Sequence, residues 1–350
     1  MSCFFPNIGQ RIKGSGAVPT LIRPYGKVGD TDSFEVANLF NDGTVAVHEG
    51  KLVEYETFLI PCGKCIGCRL DYAREWSDRC YLESLTKSPN WFVTLTYDDL
   101  NLPVTEFLKD DEIIYTNSLV KEHLSLFIKR LRRYYDYHFE IQDISFYGCG
   151  EYGSKYQRPH YHLLLFGCPV PDLELFTFKD GFATYNSEIF TKEWGKGFVT
   201  LNEFTYETAS YVARYCLKKQ YGDLSFFYES NGLVPEFSVM SRSPGIAYEY
   251  FRQHKDEIFE RGYIPVKKHN GVFHSPIPKY FERLLEKEDP LLFEKYKASK
   301  KEASFSRFIY TYSIHNSELP IVEQRAINER AKLSQLKALR RNFESSYNII

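Results

Sequence analysis

The segment QRPHYHLLLFG, Gln157 to Gly167, sets His160 and His162 at the mouth of an apolar run. In a β-strand, residues two apart project to one face, so these imidazoles would stand side by side. Leu164 and Phe166 continue that face, while Tyr161, Leu163 and Leu165 form the other. Both faces are apolar downstream, as in a central strand covered on two sides. Two neutral imidazoles at this spacing can chelate one divalent ion, leaving its other positions to oxygen ligands and water. The preceding strand-like run, ISFYGCGEYG, carries Glu151. A hairpin through the turn SKYQR would return its carboxylate beside the histidines as a third, harder ligand. The plainer reading of His-x-His is two partly buried histidines bonded to backbone; the nearby carboxylate argues for a metal.

A second set follows in ASYVARYCLKK, Ala209 to Lys219. At about 100° per residue, Ala209, Val212, Ala213, Cys216 and Leu217 form a compact apolar stripe. Tyr211, Tyr215 and Lys218 gather opposite it, with Arg214 at the margin. The stripe is complete without the tyrosines, which frees their phenols for chemistry. Two phenols one helical turn apart beside cations suit attack on phosphorus. The Lys218 ammonium would favour phenolate and neutralise charge growing on phosphoryl oxygens.

Three further sets carry weaker signals. Cys62, Cys65 and Cys68 make two overlapping C-x2-C steps, with Cys80 further on. Tetrahedral zinc needs four ligands, and Cys80 or a histidine is the expected fourth. Such a zinc would pin the N-terminal arm and take no part in chemistry. Lys121, Ser125, Lys129 and Arg132, with Arg130 and Arg133 nearby, line one face of a helical segment. This stripe is a solvated face or a track for phosphates, with Tyr134 and Tyr135 placed to stack unpaired bases. In SRSPGIAYEY, residues 241–250, Ser, Arg and Gly precede a helix start and offer a phosphate contact or an ordinary turn.

These groups need elements to position them. WFVTLTYDD, residues 91–99, reads as a strand; RLDYAREWSDRCYLESL has helical spacing. Residues 118–137 read as an amphipathic helix capped by Ser118 and burying Val120, Leu124, Phe127, Ile128 and Leu131. A helix over about 206–219 carries the tyrosines, and a polar helix over about 321–345 ends the sequence. Residues 1 to about 60 read as an irregular arm with short strand-like runs. The irregular alternation predicts an α+β fold with a mainly antiparallel sheet. The expected domains are an arm with the cysteine cluster over 1–85, a catalytic domain over 86–225 and a mixed, helical region over 226–350.

The 350 residues, 43% hydrophobic and 26% charged, suit an ordinary globular chain and exclude a disordered one. A net charge of −2 leaves any basic surface local. The 27 tyrosines and 28 phenylalanines fit base-stacking surfaces and an aromatic core equally well. No apolar run reaches the roughly 18 residues of a membrane span, and the start MSCFFPNIGQ lacks a signal peptide's build. A cytoplasmic protein is expected, its eight cysteines thiols or metal ligands rather than disulfides.

FVTLTY, RPHYHLLLFG and YVARYCLK occur in the order and type of the three motifs of HUH endonucleases that initiate rolling-circle replication. The chain resembles replication initiators of microviruses, and PCGKCIGCR and MSRSPGIAYEYF extend the similarity to the gokushovirus type over roughly residues 60–250. The two-tyrosine branch carries tyrosine-x-x-lysine-tyrosine-x-x-lysine; here Arg214 stands at the first lysine, keeping the charge but not the ammonium geometry. That departure leaves Lys218 as the candidate for proton transfer.

The resemblance implies a central antiparallel sheet flanked by helices, with Mg²⁺ or Mn²⁺ held by His160, His162 and Glu151. Tyr211 or Tyr215 would attack a phosphodiester, leaving a 5′-phosphotyrosyl link and a free 3′-OH; the other tyrosine would later release a circle. The implied partners are single-stranded DNA at the viral origin and the host's helicase and polymerase, in the bacterial cytoplasm. A host helicase is expected because no nucleotide-binding loop of the Walker type is present. The rival readings are a relaxase or transposase of the same superfamily, a phosphodiesterase with a water nucleophile, and a non-enzymatic zinc-dependent nucleic-acid binder.

Overall fold

The structure is a computed structural model that describes residues 3–12, 21–24, 44–48, 51–109, 111–153, 156–179, 181–214, 226–268, 271–314 and 321–344. The chain begins with strands β1 (Asn7–Ile12), β2 (Leu21–Pro24), β3 (Thr44–His48) and β4 (Lys51–Ile60), then helix α1 (Ile66–Thr86). Next come β5 (Asn90–Tyr97), β6 (Val104–Lys109), β7 (Glu112–Asn117), α2 (Lys121–Phe139), β8 (Ser145–Tyr152) and β9 (Pro159–Phe166). Then follow β10 (Glu174–Lys179), β11 (Phe182–Asn186), α3 (Glu188–Trp194), β12 (Gly197–Glu203), α4 (Tyr206–Arg214), α5 (Phe226–Glu229) and β13 (Phe237–Met240). The last are α6 (Tyr248–Arg261), β14 (Ile264–Lys268), β15 (Gly271–Ser275), α7 (Lys279–Glu288), α8 (Pro290–Ile314) and α9 (Ile321–Glu344). By internal contacts the chain divides into one unit of residues 1–71 with 304–350 and another of residues 72–303.

In the first unit, four antiparallel strands run in the order β2-β1-β4-β3. The segment expected to be irregular thus supplies a sheet. Its central pairing joins Asn7 to Ile60, residues far apart in sequence, and no local alternation announces such a register.

In the second unit, a seven-stranded sheet of order β10-β11-β12-β5-β9-β8-β13 pairs antiparallel throughout. The expected α+β architecture, an antiparallel sheet flanked by helices, is what the chain adopts. Strand β9 is interior and buried on both faces, which is why its apolar run does not alternate. Tyr161, Leu163 and Leu165 pack on one face with Leu124, Phe127, Ile128 and Leu131 of α2 and with Phe190 and Trp194 of α3. Leu164 and Phe166 pack on the other face with Ala209, Val212 and Ala213 of α4 and with Cys80 of α1. Fully burying each such side chain contributes about 1.5–3 kcal/mol, so β9 is fixed by hydrophobic packing on both sides.

Polar anchors set the register of β9. The Tyr161 hydroxyl donates to Val120 O at 2.8 Å, accepts from Val120 N at 3.0 Å, and lies 2.7 Å from the Tyr97 hydroxyl. Tyr97 in turn meets His123 Nδ1 at 2.7 Å. This buried chain ties the start of α2 to the residue between the two histidines. The α2 start differs from expectation: the helix begins at Lys121, Val120 holds the cap position, and Ser118 makes no cap bond. Ser118 Oγ instead accepts from Val234 N at 2.9 Å, a partner 116 residues away that local sequence cannot announce.

Candidate active site

The β8–β9 hairpin does what the sequence implied. Glu151 pairs with His160 and Cys149 with His162, putting Glu151 and both imidazoles on one sheet face. Glu151 Oε1 lies 2.7 Å from His160 Nε2 and 3.1 Å from His162 Nε2. The three donor atoms converge within 4.8 Å of one another.

Each imidazole is oriented from behind. His160 Nδ1 lies 3.0 Å from the Arg158 carbonyl, which also accepts from Gly153 N at 3.0 Å, so the hairpin turn fixes the ring. A carbonyl can only accept, so Nδ1 carries the proton and Nε2 is left to face the site. His162 Nδ1 meets Thr94 Oγ1 at 3.0 Å; Thr94 is its neighbour across β5. Phe92 stacks on His162 with centroids 5.3 Å apart. Arg158 in turn bonds Tyr97 O at 2.9 Å and pairs with Asp99 at 2.8 Å, bracing the turn.

The electrostatics ask for a cation. Glu151 is only 2% exposed, and an unpaired buried carboxylate costs several kcal/mol. Burial alone would raise its pKa, but hydrogen bonds and charge from His160 and His162 outweigh this and hold it well below the usual carboxylate range. His160 faces an acceptor at each nitrogen, a carbonyl and a carboxylate. With Nδ1–H spent on the carbonyl, only a second proton or a metal ion at Nε2 reconciles the ring with the carboxylate. The donor set fits a divalent ion bound on one side by N, N and O, its other positions left open.

Tyr211 stands beside this cluster. Helix α4 presses Ala209, Val212 and Ala213 into the sheet, leaving Tyr211 half-buried at the edge of that packing. Its ring lies 5.4 Å from that of His162 and 6.0 Å from that of Phe92, edge to face with both. Arg214 is exposed at the last turn of α4. Tyr215 and Lys218 lie outside the described residues.

The remaining sequence candidates separate from the site. Lys129 and Arg133 are exposed on α2, which covers the opposite face of the sheet from the histidines. Lys121 is exposed at the start of that helix. Arg132 turns inward, donating to Ile144 O at 2.6 and 3.0 Å and to Ser241 Oγ at 3.0 Å. Tyr135 is fully buried, its hydroxyl donating to Pro169 O, and so cannot stack a base. The turn before α6 is held structurally: Arg79 donates to Ile246 O at 3.0 Å and Ala247 N donates to Glu83 at 2.6 Å. Cys80, expected as a zinc ligand, is buried in the sheet core among Phe92 and Tyr147 and does not join the other cysteines. The fourth member of that cluster is Cys3.

Sequence reasoning missed Thr94, Arg158 and Cys3. Thr94 had a signal: in FVTLTY the threonines alternate with apolar residues, marking a polar face on a buried strand.

The comparisons agree with this reading of the chain. The model for the replication-associated protein ORF2 family matches residues 90–220, which include β5, β8, β9 and α4. Replication-associated protein ORF2 of Spiroplasma virus 4 is 36% identical over 252 residues, covering 71% of this chain and 74% of that protein. Replication-associated protein VP4 of Bdellovibrio phage phiMH2K is 32% identical over 268 residues, covering 75% and 79%. Replication-associated protein ORF4 of Chlamydia phage 1 is 30% identical over 240 residues, covering 67% and 55%. The chain belongs to this family of microvirus replication-associated proteins. No solved structure matches it, and no described helix is long and apolar enough to cross a membrane.

Proposed function

We propose that the chain initiates rolling-circle replication by nicking single-stranded DNA at the viral origin through a phosphotyrosyl intermediate. The observation that carries this reading is the placing of Tyr211, 5.4 Å ring to ring from His162, beside a converged Glu151–His160–His162 donor set. A water-using phosphodiesterase would need the donor set but not the tyrosine.

Glu151, His160 and His162 would hold Mn²⁺ or Mg²⁺, the nitrogen donors suiting Mn²⁺ better than the oxygen-preferring Mg²⁺. When bound, such an ion polarises the scissile phosphate and neutralises its developing charge. The chain's residues do the rest. Arg158 O and Thr94 orient the two imidazoles, and the core under α4 fixes Tyr211 against His162. The Tyr211 oxygen forms a bond to phosphorus as the bond from phosphorus to the 3′ oxygen breaks. The phenolic proton is lost to solvent, the departing oxygen is protonated, and a free 3′-OH remains to prime synthesis. Tyr215, one turn further along the sequence, would repeat the cut, and the released 3′-OH would then attack the first link and close a circle. Lys218 is the proposed acid and base near the phenols. Host helicase and polymerase are the proposed partners in the bacterial cytoplasm.

The test is a denaturing gel of the protein with labelled single-stranded origin DNA, in Mn²⁺ and in EDTA, with Tyr211→Phe, Tyr215→Phe and the double variant. A metal-dependent covalent band that survives either single change and vanishes in the double is expected. Cleavage without a covalent band, indifferent to the double change, would overturn the tyrosine mechanism in favour of a water nucleophile.

A further inference from the structure

The cysteines that the catalytic reading leaves unused form a second donor cluster. Cys3, Cys62, Cys65 and Cys68 bring their sulfurs within 4.8 Å of one another. Cys62 Sγ lies 4.0 Å from Cys68 Sγ, and Cys65 Sγ lies 3.8 Å from Cys3 Sγ. Disulfide sulfurs would be about 2.05 Å apart, so none of these pairs is bonded. Four sulfurs each about 2.3 Å from one zinc ion stand about 3.8 Å apart at tetrahedral angles. The spacing therefore encloses a single ion; a multi-iron cluster would hold its cysteines further apart. We propose that Cys3, Cys62, Cys65 and Cys68 bind one structural zinc ion.

The surrounding backbone is built for thiolates. Cys65 N donates to Cys62 Sγ at 3.3 Å, Cys62 N to Cys3 Sγ at 3.3 Å, and Phe4 N to Cys65 Sγ at 3.4 Å. Such bonds place positive dipoles on sulfurs that carry negative charge in the bound state. Gly63 sits at φ +74°, the left-handed conformation that folds Cys62 back toward Cys65. Cys65 and Cys68 flank the first residues of α1, where the helix dipole favours anionic ligands. Glu329 of α9 accepts from Ile66 N at 3.2 Å and occupies one of that helix's open donors. Cys3, Cys65 and Cys68 are buried, and the only apolar neighbour packed on the group is Phe4 among the described residues. Four thiols in so small a cluster, with so little core around them, need another source of cohesion, and a tetrathiolate ion supplies it. All four positions are protein ligands, so the ion has no open site for substrate and serves structure. It would tie the segment leading into β1 to the start of α1.

Metal content decides the matter. The full-length chain carrying His160→Ala and His162→Ala, which disables the other donor set, is purified under reductant with zinc and analysed by atomic emission. One zinc per chain is expected. Cobalt in its place should give intense thiolate charge-transfer absorption and the visible bands of a tetrahedral four-sulfur site. Cys3→Ser should lose zinc to a chelator concentration that leaves the parent loaded, whereas Cys80→Ser should not. Cys3→His should keep the metal but weaken and shift the cobalt charge-transfer band, a readout that a merely misfolded variant could not give. A parent chain that stays metal-free, or that holds iron instead, overturns the zinc site. Full zinc retention with an unaltered cobalt spectrum in Cys3→Ser overturns the assignment of Cys3.

Discussion

The two donor clusters are opposites in chemistry. The cysteine set closes around its centre with four soft sulfurs from two separate stretches of the first unit. The Glu151–His160–His162 set brings three harder donors from one hairpin and leaves the far side of its centre to whatever approaches from Tyr211. A closed four-thiolate site contributes to folding and excludes substrate; a three-donor site has positions left for phosphate oxygens. Their supports differ in the same sense. The histidines rest on a strand packed on both faces, with each ring's rear nitrogen fixed, so they are positioned before any ion arrives. The cysteines have few apolar neighbours, so the ion is itself the packing. A preorganised site and a metal-organised site thus coexist in one chain, and perturbing each should give different symptoms.

The largest effect is expected from the open site. His160→Ala with His162→Ala should lower metal-dependent nicking by more than about a hundredfold, since loss of a mere orienting partner already costs about 10–100-fold. Gel quantitation of cleaved origin DNA, beside a thermal scan showing an intact fold, checks this. Nicking that survives the pair would break the contrast, because the hairpin would then be only structural. The closed site should show the reverse symptom. Cys3→Ser should lower the midpoint of thermal unfolding by several degrees and erase its dependence on added chelator. Cleavage per folded molecule should stay within about twofold, because a closed tetrathiolate has no coordination position for DNA. A calorimetric scan with and without chelator, paired with the gel, separates the two outcomes.

Smaller changes sharpen the idea of preorganisation. Thr94→Val keeps the size of the side chain but removes the oxygen at 3.0 Å from His162 Nδ1. A loss of about tenfold in manganese affinity is expected, with the fold unchanged. Titration calorimetry on the Tyr211→Phe background measures binding without turnover. An unaltered affinity would mean that Phe92 stacking alone orients His162.

Acid offers a separate handle on the metal-free protein. Glu151 has a pKa lower in the folded chain than in the unfolded one, so the unfolded state binds its proton first as pH falls. Its contribution to stability is complete above the ordinary glutamate pKa of about 4.3 and declines as pH drops from there toward the folded value. Glu151→Gln should therefore flatten the acid side of the stability curve, read by urea midpoints from neutral pH down to about 3. An unchanged slope would mean that the imidazoles do not hold the carboxylate ionised.

Much of the open site was legible because it obeys local periods. His160 and His162 share a face by the two-residue period of a strand, and Glu151 joins them because its strand pairs next door through a short turn. Tyr211 was legible from the helical period, its side of α4 being left over once Ala209, Val212 and Ala213 were spent on the core. What escaped depended on distant partners. Cys3 is 59 residues from Cys62, and no spacing rule reaches so far; the nearer Cys80 looked better placed until its burial in the sheet core was seen. Ser118 has the chemistry of a helix cap, but the Val234 amide claims it. Helical spacing also revealed the stripe through Lys129 and Arg132 without telling which side of the sheet α2 would cover.

That last point carries the smallest expected effect. Lys129 and Arg133 are exposed on α2, across the sheet from Glu151 and the histidines, while Arg132 is held by Ile144 and Ser241. A strand engaged at Tyr211 has to wrap around the sheet edge to meet them. Each phosphate contact on single-stranded DNA contributes about 0.7 to the slope of log affinity against log salt. Lys129→Ala with Arg133→Ala should therefore reduce that slope by no more than about 0.7, one contact at most, and leave the nicking rate at saturating DNA unchanged. Fluorescence anisotropy with labelled origin DNA over a range of salt measures it. A fall of about 1.4 would show both cations on phosphate and a DNA path over the face of the sheet opposite the histidines, making α2 a working part of the DNA track.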